Sequence, residues 1–216
     1  MNKDLTELVF ILDKSGSMAG LEEDTIGGFN SLLAKQKKHE GQALITTVLF
    51  DNNYEVLHSR AAIQTVNPIT SDEYYVEGST ALLDAIGRTI EKIGRAVGKM
   101  PEAERPGQVM FTIITDGMEN ASRRYSYGKI KEMIEHRKAE FGWEFIFLGA
   151  NIDAIASAAQ IGIGPKFSAR YNSDAIGTGL NFSSVNDAIY EMRENSAIPD
   201  DWKKDIDDDF KKRGKK

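Results

Sequence analysis

The stretch VFILDKSGSM, residues 9–18, runs apolar through Val9, Phe10, Ile11 and Leu12 and then sets an aspartate and two serines at every second position. A short unbroken apolar run reads as a strand buried on both faces, the pattern of a parallel sheet covered by helices. The polar residues that follow mark where the chain leaves the sheet. With the first strand taken as 7–12, the same pattern recurs at 44–50, 109–115 and 144–149, and a further strand is expected near 166–170.

Helical periodicity fills most of the gaps. Residues 21–38 place Ile26, Phe29, Leu32 and Leu33 on one face, and 81–98 do the same with Leu82, Leu83, Ile86, Ile90, Ile93 and Val97. Segments 127–141, 152–161 and 183–195 are also expected to be helical. Asp51, Asn52 and Asn53 interrupt the alternation with turn formers between two extended runs, which is hairpin chemistry and implies one antiparallel strand. The expected fold is α/β: a doubly wound, mostly parallel sheet with one antiparallel edge strand and helices on both faces. Residues 1–198 read as one domain and 199–216 as a charged C-terminal tail.

Composition narrows the function. With 41% apolar and 28% charged residues and five prolines among 216, the chain has the make-up of a globular domain. It has no cysteine, which excludes disulfides, thiolate metal sites and cysteine nucleophiles and suits a reducing compartment; the cytoplasm is the expected location. The apolar stretch ended by Asp13 is too short for a signal-peptide core. The run VMFTII at 109–114 is far below the roughly 20 residues a membrane span needs, so no membrane partner is expected. Net charge is -6, with the basic residues concentrated after residue 202, so the body is expected to repel nucleic acid.

Asp13, Ser15 and Ser17 leave the first strand in a loop containing Gly16, and their alternate spacing lets their oxygens converge. Hydroxyl and carboxylate oxygens without His or Cys are hard ligands, suited to Mg²⁺ or Mn²⁺ more than to Zn²⁺. Two serines are neutral, so a cation needs further oxygens, and Thr80 in GST (78–80) and Asp116 in TDG (115–117) are placed to supply them.

D-x-S-x-S after the first strand, G-x-T before a helix and T-D-G after a central strand, in that order, resemble the metal-ion-dependent adhesion site of the von Willebrand factor type A domain. The resemblance covers about residues 5–195, and the chain resembles the stand-alone bacterial and phage type of the family. It implies that Ser15, Ser17 and Thr80 give hydroxyls to Mg²⁺ or Mn²⁺, that Asp13 and Asp116 bind directly or through water, and that an open position takes a carboxylate from a partner protein. The implied function is metal-dependent docking of an acidic protein partner, without catalysis. By the same resemblance the chain could serve as a subunit of a bacterial stress, toxic-anion-resistance or ATPase assembly.

The enzyme alternative is a metal-dependent phosphohydrolase with Asp13 as nucleophile, similar to haloacid dehalogenase-like phosphatases. Those carry D-x-D, and Ser15 stands where their acid-base aspartate belongs. Other residues read more plainly. Thr80 doubles as an expected N-cap. Lys14 reads as an exposed loop lysine, Arg123, Arg124, Tyr125 and Tyr127 as solvated surface, and Gly177 and Gly179 as turn glycines.

Overall fold

The computed structural model describes residues 1–150 and 152–213. Six strands form one sheet: β1 (Asn2–Asp13), β2 (Gln42–Phe50), β3 (Tyr54–Ala62), β4 (Pro106–Thr115), β5 (Glu144–Gly149) and β6 (Ser168–Arg170). Their spatial order is β3-β2-β1-β4-β5-β6, with β3 antiparallel to β2 and every other pair parallel. Six helices accompany them: α1 (Glu22–Gln36), α2 (Leu82–Gly98), α3 (Tyr127–Phe141), α4 (Ala154–Gln160), α5 (Ala175–Asn195) and α6 (Lys204–Arg213).

The period-2 alternation of side chains divides β1 between two cores. Leu8, Phe10 and Leu12 pack with Phe29 and Leu32 of α1, Val185 and Ile189 of α5 and Ile206 of α6. Val9 and Ile11 face the other way, onto Ile86 and Ile90 of α2 and Ile130 and Ile134 of α3. Both faces of the strand are therefore covered, which is why its sequence is apolar without alternation. Each of these side chains contributes about 1.5–3 kcal/mol by leaving water.

The order of strands reverses between β1 and β4: from β1 the chain moves outward to β2 on one side and later returns to β4 on the other. Such a switch point opens a crevice beyond the carboxyl ends of the strands. Leu12 of β1 lies opposite Ile114 of β4, so Asp13 and Thr115 leave the sheet side by side.

Two expectations need correction. The last long helix, expected at 183–195, begins at Ala175, so Gly177 and Gly179 are helical; the Asp174 side chain accepts from Gly177 N at 2.9 Å and starts it. The stretch expected as a charged tail from residue 199 is held to the body as far as Arg213. Trp202 and Ile206 enter the same core as Phe10, and Trp202 Nε1 donates to Lys166 O at 2.9 Å. The ion pairs Lys203–Asp207, Asp208–Lys211 and Asp209–Arg213 run along this stretch.

Candidate metal centre

Four loops meet above the β1/β4 crevice. Asp13 ends β1 and is buried; its Oδ1 accepts from Ser15 N at 2.7 Å and its Oδ2 from Thr115 Oγ1 at 2.5 Å. The loop after Asp13 is clipped to the segment before α2, with Gly16 N donating to Gly78 O at 3.1 Å and Glu77 N to Lys14 O at 2.9 Å. That clip brings Thr80 to Ser15. Thr80 Oγ1 donates to Ser15 Oγ at 2.9 Å, and Ser15 Oγ lies 3.1 Å from Ser17 Oγ.

Gly117 explains why two of these hydroxyls, those of Ser17 and Thr80, fit. A Cβ there would meet Ser17 Oγ and Thr80 Oγ1 at 2.7 Å each, so only glycine lets the β4 loop pass beneath them. The neighbouring Asp116 is buried, its Oδ2 faces Ser173 Oγ at 3.4 Å, and its Oδ1 has no hydrogen-bond partner. The structure thus joins Ser15, Ser17 and Thr80 by direct contact, with Asp13 bonded to Ser15 and Asp116 next to the glycine that carries the hydroxyls.

The charges are held at a cost. Burial pushes the Asp13 carboxyl up to about 6, opposed by the Ser15 and Thr115 hydrogen bonds and reinforced by the Asp116 charge. Burial raises Asp116 as well, against hydrogen bonds from Ser17 and Ser173. Two neighbouring buried carboxyls, one with an unpartnered oxygen, suit a cation. Among the described residues no cluster of three or more His, Cys, Asp or Glu could hold a metal, so a cation here would depend on the hydroxyls. The donor set is wholly oxygen, which fits Mg²⁺ or Mn²⁺.

Sequence reasoning missed the two tyrosines that hold these ligands in place; for Glu119 and Asn120 it left open a supporting role at the site or a helix start. Tyr74 is buried and its hydroxyl donates to Asp13 O at 2.5 Å, while Tyr171 donates to Thr115 O at 3.4 Å. Asn120 Oδ1 accepts from Thr80 N at 2.9 Å. Glu119 accepts from Leu83 N at 2.9 Å and from Ser122 N at 2.8 Å, so the β4 loop caps α2. Thr80 makes no cap: Ala81 occupies that position, and the Thr80 hydroxyl is spent on Ser15.

Lys14 is not exposed. It is buried, with Nζ 3.2 Å from Glu55 and 4.1 Å from the centre of the Tyr75 ring. The Arg123–Tyr125 backbone is likewise tied down, its three N–H groups donating to Asp84 at 2.9–3.0 Å, and Tyr125 is buried.

A doubly wound sheet with hydroxyl and carboxylate loops gathered at its β1/β4 switch point is the von Willebrand factor type A fold. Solved structures agree. A von Willebrand factor type A protein from Catenulispora acidiphila is similar at a TM-score of 0.58 and 13% identity, over 86% of this chain and 42% of that one. The ArnB paralog VWA2 from Sulfolobus acidocaldarius gives 0.52 at 17% identity, over 89% and 45%. Manganese-loaded TRAP protein from Plasmodium vivax gives 0.56 at 16% identity, over 84% and 74%. The chain spans less than half the length of the first two. No protein-family model matches the chain, and no curated protein matches its sequence. No helix among the described residues is long and apolar enough to cross a membrane.

Proposed function

We propose that this chain is a type A docking module in which Asp13, Ser15, Ser17, Thr80 and Asp116 hold Mg²⁺ or Mn²⁺ and a partner protein supplies an acidic side chain. The observation that carries this reading is the buried, unpartnered Asp116 Oδ1 next to Gly117, over which the Ser17 and Thr80 hydroxyls pack, with Ser15 bonded to Thr80. When bound, the cation supplies an electrophilic centre with room for one more anionic oxygen. The chain's own residues do the rest: Ser15 N and Thr115 fix the Asp13 carboxylate, Asn120 fixes the Thr80 backbone, and Tyr74 anchors the end of β1.

Two carboxylates balance a divalent ion without overcompensating it, so an acidic partner is not repelled. A site of four carboxylates would hold the ion and reject the partner. The hydrolase reading is weaker, because Ser15 stands where an acid-base carboxylate would be needed and offers no such group. The manganese-loaded neighbour supports the kind of metal by analogy of fold. A stand-alone bacterial or phage module, working in the cytoplasm or as a subunit of a larger assembly, remains the setting proposed from the sequence. The test is affinity capture with the immobilised chain in Mg²⁺. The reading expects partners that elute with chelator and are absent from an Asp13→Ala column; an identical set on both columns would overturn it.

A further inference from the structure

At the other end of the sheet, a cavity of about 380 Å³ is lined by Ser59, Arg60, Lys92, Arg95, Ala96 and Lys99. It is remote from the metal centre. Arg60 reaches the register of Thr46, which pairs with Val9, four residues and so about 13 Å back along β1 from Asp13. Four cations around one concavity stand out on a chain whose net charge is -6.

The floor of the cavity is built by a distortion of the sheet. Ile45 pairs with Ala61 and Thr47 with His58, so Ser59 and Arg60 together oppose the single residue Thr46, a β-bulge. Arg60 adopts a left-handed backbone, φ 50°, that a non-glycine residue holds only when its surroundings impose it. Thr46 Oγ1 accepts from Arg60 N at 3.0 Å. The bulge turns the guanidinium across the sheet, where Nε donates to Glu7 at 2.8 Å and one Nη to Met100 Sδ at 3.2 Å. Glu7 is fully buried and its second oxygen has no partner. A buried carboxylate thus holds one edge of an arginine that lines an open cavity.

The wall comes from the last turns of α2, where Lys92, Arg95 and Lys99 at spacings of three and four share a face. Cations near a helix C-terminus commonly serve its dipole. Here Arg105 already does so, donating to Met100 O at 3.1 Å and Gly98 O at 3.4 Å. Arg95 is balanced by Glu91 at 2.9 Å and Arg60 by Glu7, whereas Lys92 and Lys99 have no ion pair among the described residues. Ala96 is the one apolar residue in the lining, and no aromatic side chain lines it, so charge dominates what the cavity offers a ligand.

We infer that this cavity binds a chain of two or more phosphoryl groups, recognised by its charge and not by any attached base. Lys92 and Lys99 meet the outer phosphoryl oxygens, and the fixed Arg60 guanidinium meets the innermost. The inference is independent of the metal reading, and its test is run in chelator so that no divalent ion can bridge protein and phosphate. Sodium tripolyphosphate is titrated calorimetrically into the full chain at low salt. One saturable site is expected, weakened about tenfold or more by the double reversal Lys92→Glu/Lys99→Glu. The control reversal Lys129→Glu/Lys131→Glu on α3, which changes net charge equally, is expected to leave affinity within about twofold. Circular dichroism checks that each variant is folded. Absence of saturable binding at millimolar tripolyphosphate, equal weakening by the control, or equal binding of citrate would overturn the inference.

Discussion

In chelator, Asp13 should make the protein less stable as the pH rises toward neutrality. Burial pushes its carboxyl from its ordinary 3.8 to about 6. Between those values the folded chain keeps a proton that the unfolded chain has released, so unfolding free energy falls as pH increases. A displacement of about two units, at ~1.4 kcal/mol each, amounts to about 3 kcal/mol once the folded chain has also ionised, near pH 7. Roughly a third of that is already lost at about pH 4.5, because the unfolded carboxyl is mostly ionised there, leaving about 2 kcal/mol to be read by pH 7.5. Asp13→Asn keeps the shape and cannot ionise. Urea unfolding in EDTA, followed by circular dichroism at both ends of this range, gives the comparison. Asp116 titrates in both proteins and largely cancels. The wild type should lose about 2 kcal/mol relative to the variant as pH rises. A difference that changes by less than about 0.5 kcal/mol would refute the claim that Asp13 is held as a costly buried charge.

Gly117→Ala should fold with a stability loss of about 1–3 kcal/mol and bind Mn²⁺ at least about tenfold more weakly by calorimetry, because its methyl collides with the Ser17 and Thr80 hydroxyls. Trp202→Ala should cost about 3 kcal/mol in urea unfolding, since the side chain is buried and hydrogen-bonded to Lys166 O; a frayed tail would give a value near zero. Arg60→Gly satisfies the left-handed backbone but strands the buried Glu7 carboxylate, with an expected loss of about 3 kcal/mol. Most of that loss should return in the double variant Glu7→Gln/Arg60→Gly.

The parallel strands were legible because burial on both faces leaves continuous apolar runs, and the antiparallel β3 because Asp51–Asn53 can only turn. The D-x-S-x-S loop could be read for the same reason: its polar residues begin where the apolar run stops. What could not be read depends on neighbours distant in sequence. Gly177 resembles a loop residue, yet it sits where a Cβ would run into the Asn172 carbonyl, so it is a close-packing glycine inside α5. Lys14 gives no local sign that it folds back on Glu55, 41 positions away. Thr115 becomes an Asp13 partner only through the β1/β4 register, and Tyr74 only through the path of the segment before α2. In α6 Ile206 follows Trp202 by four residues and Phe210 follows by four more, a helical stripe, but the charged residues around it favour a solvated reading, and Trp202 and Ile206 enter the core.

The central claim is that five oxygens from three loops hold one divalent cation. Calorimetric titration of Mn²⁺ into the wild type and into Asp116→Ala at about pH 7.5, above the value of about 6 to which burial pushes Asp13, tests it most directly. The account predicts one Mn²⁺ per chain in the wild type and a loss of at least about tenfold in affinity in the variant, whose unpartnered buried oxygen is gone. Equal binding by the two proteins, or no binding by the wild type at millimolar Mn²⁺, would contradict it.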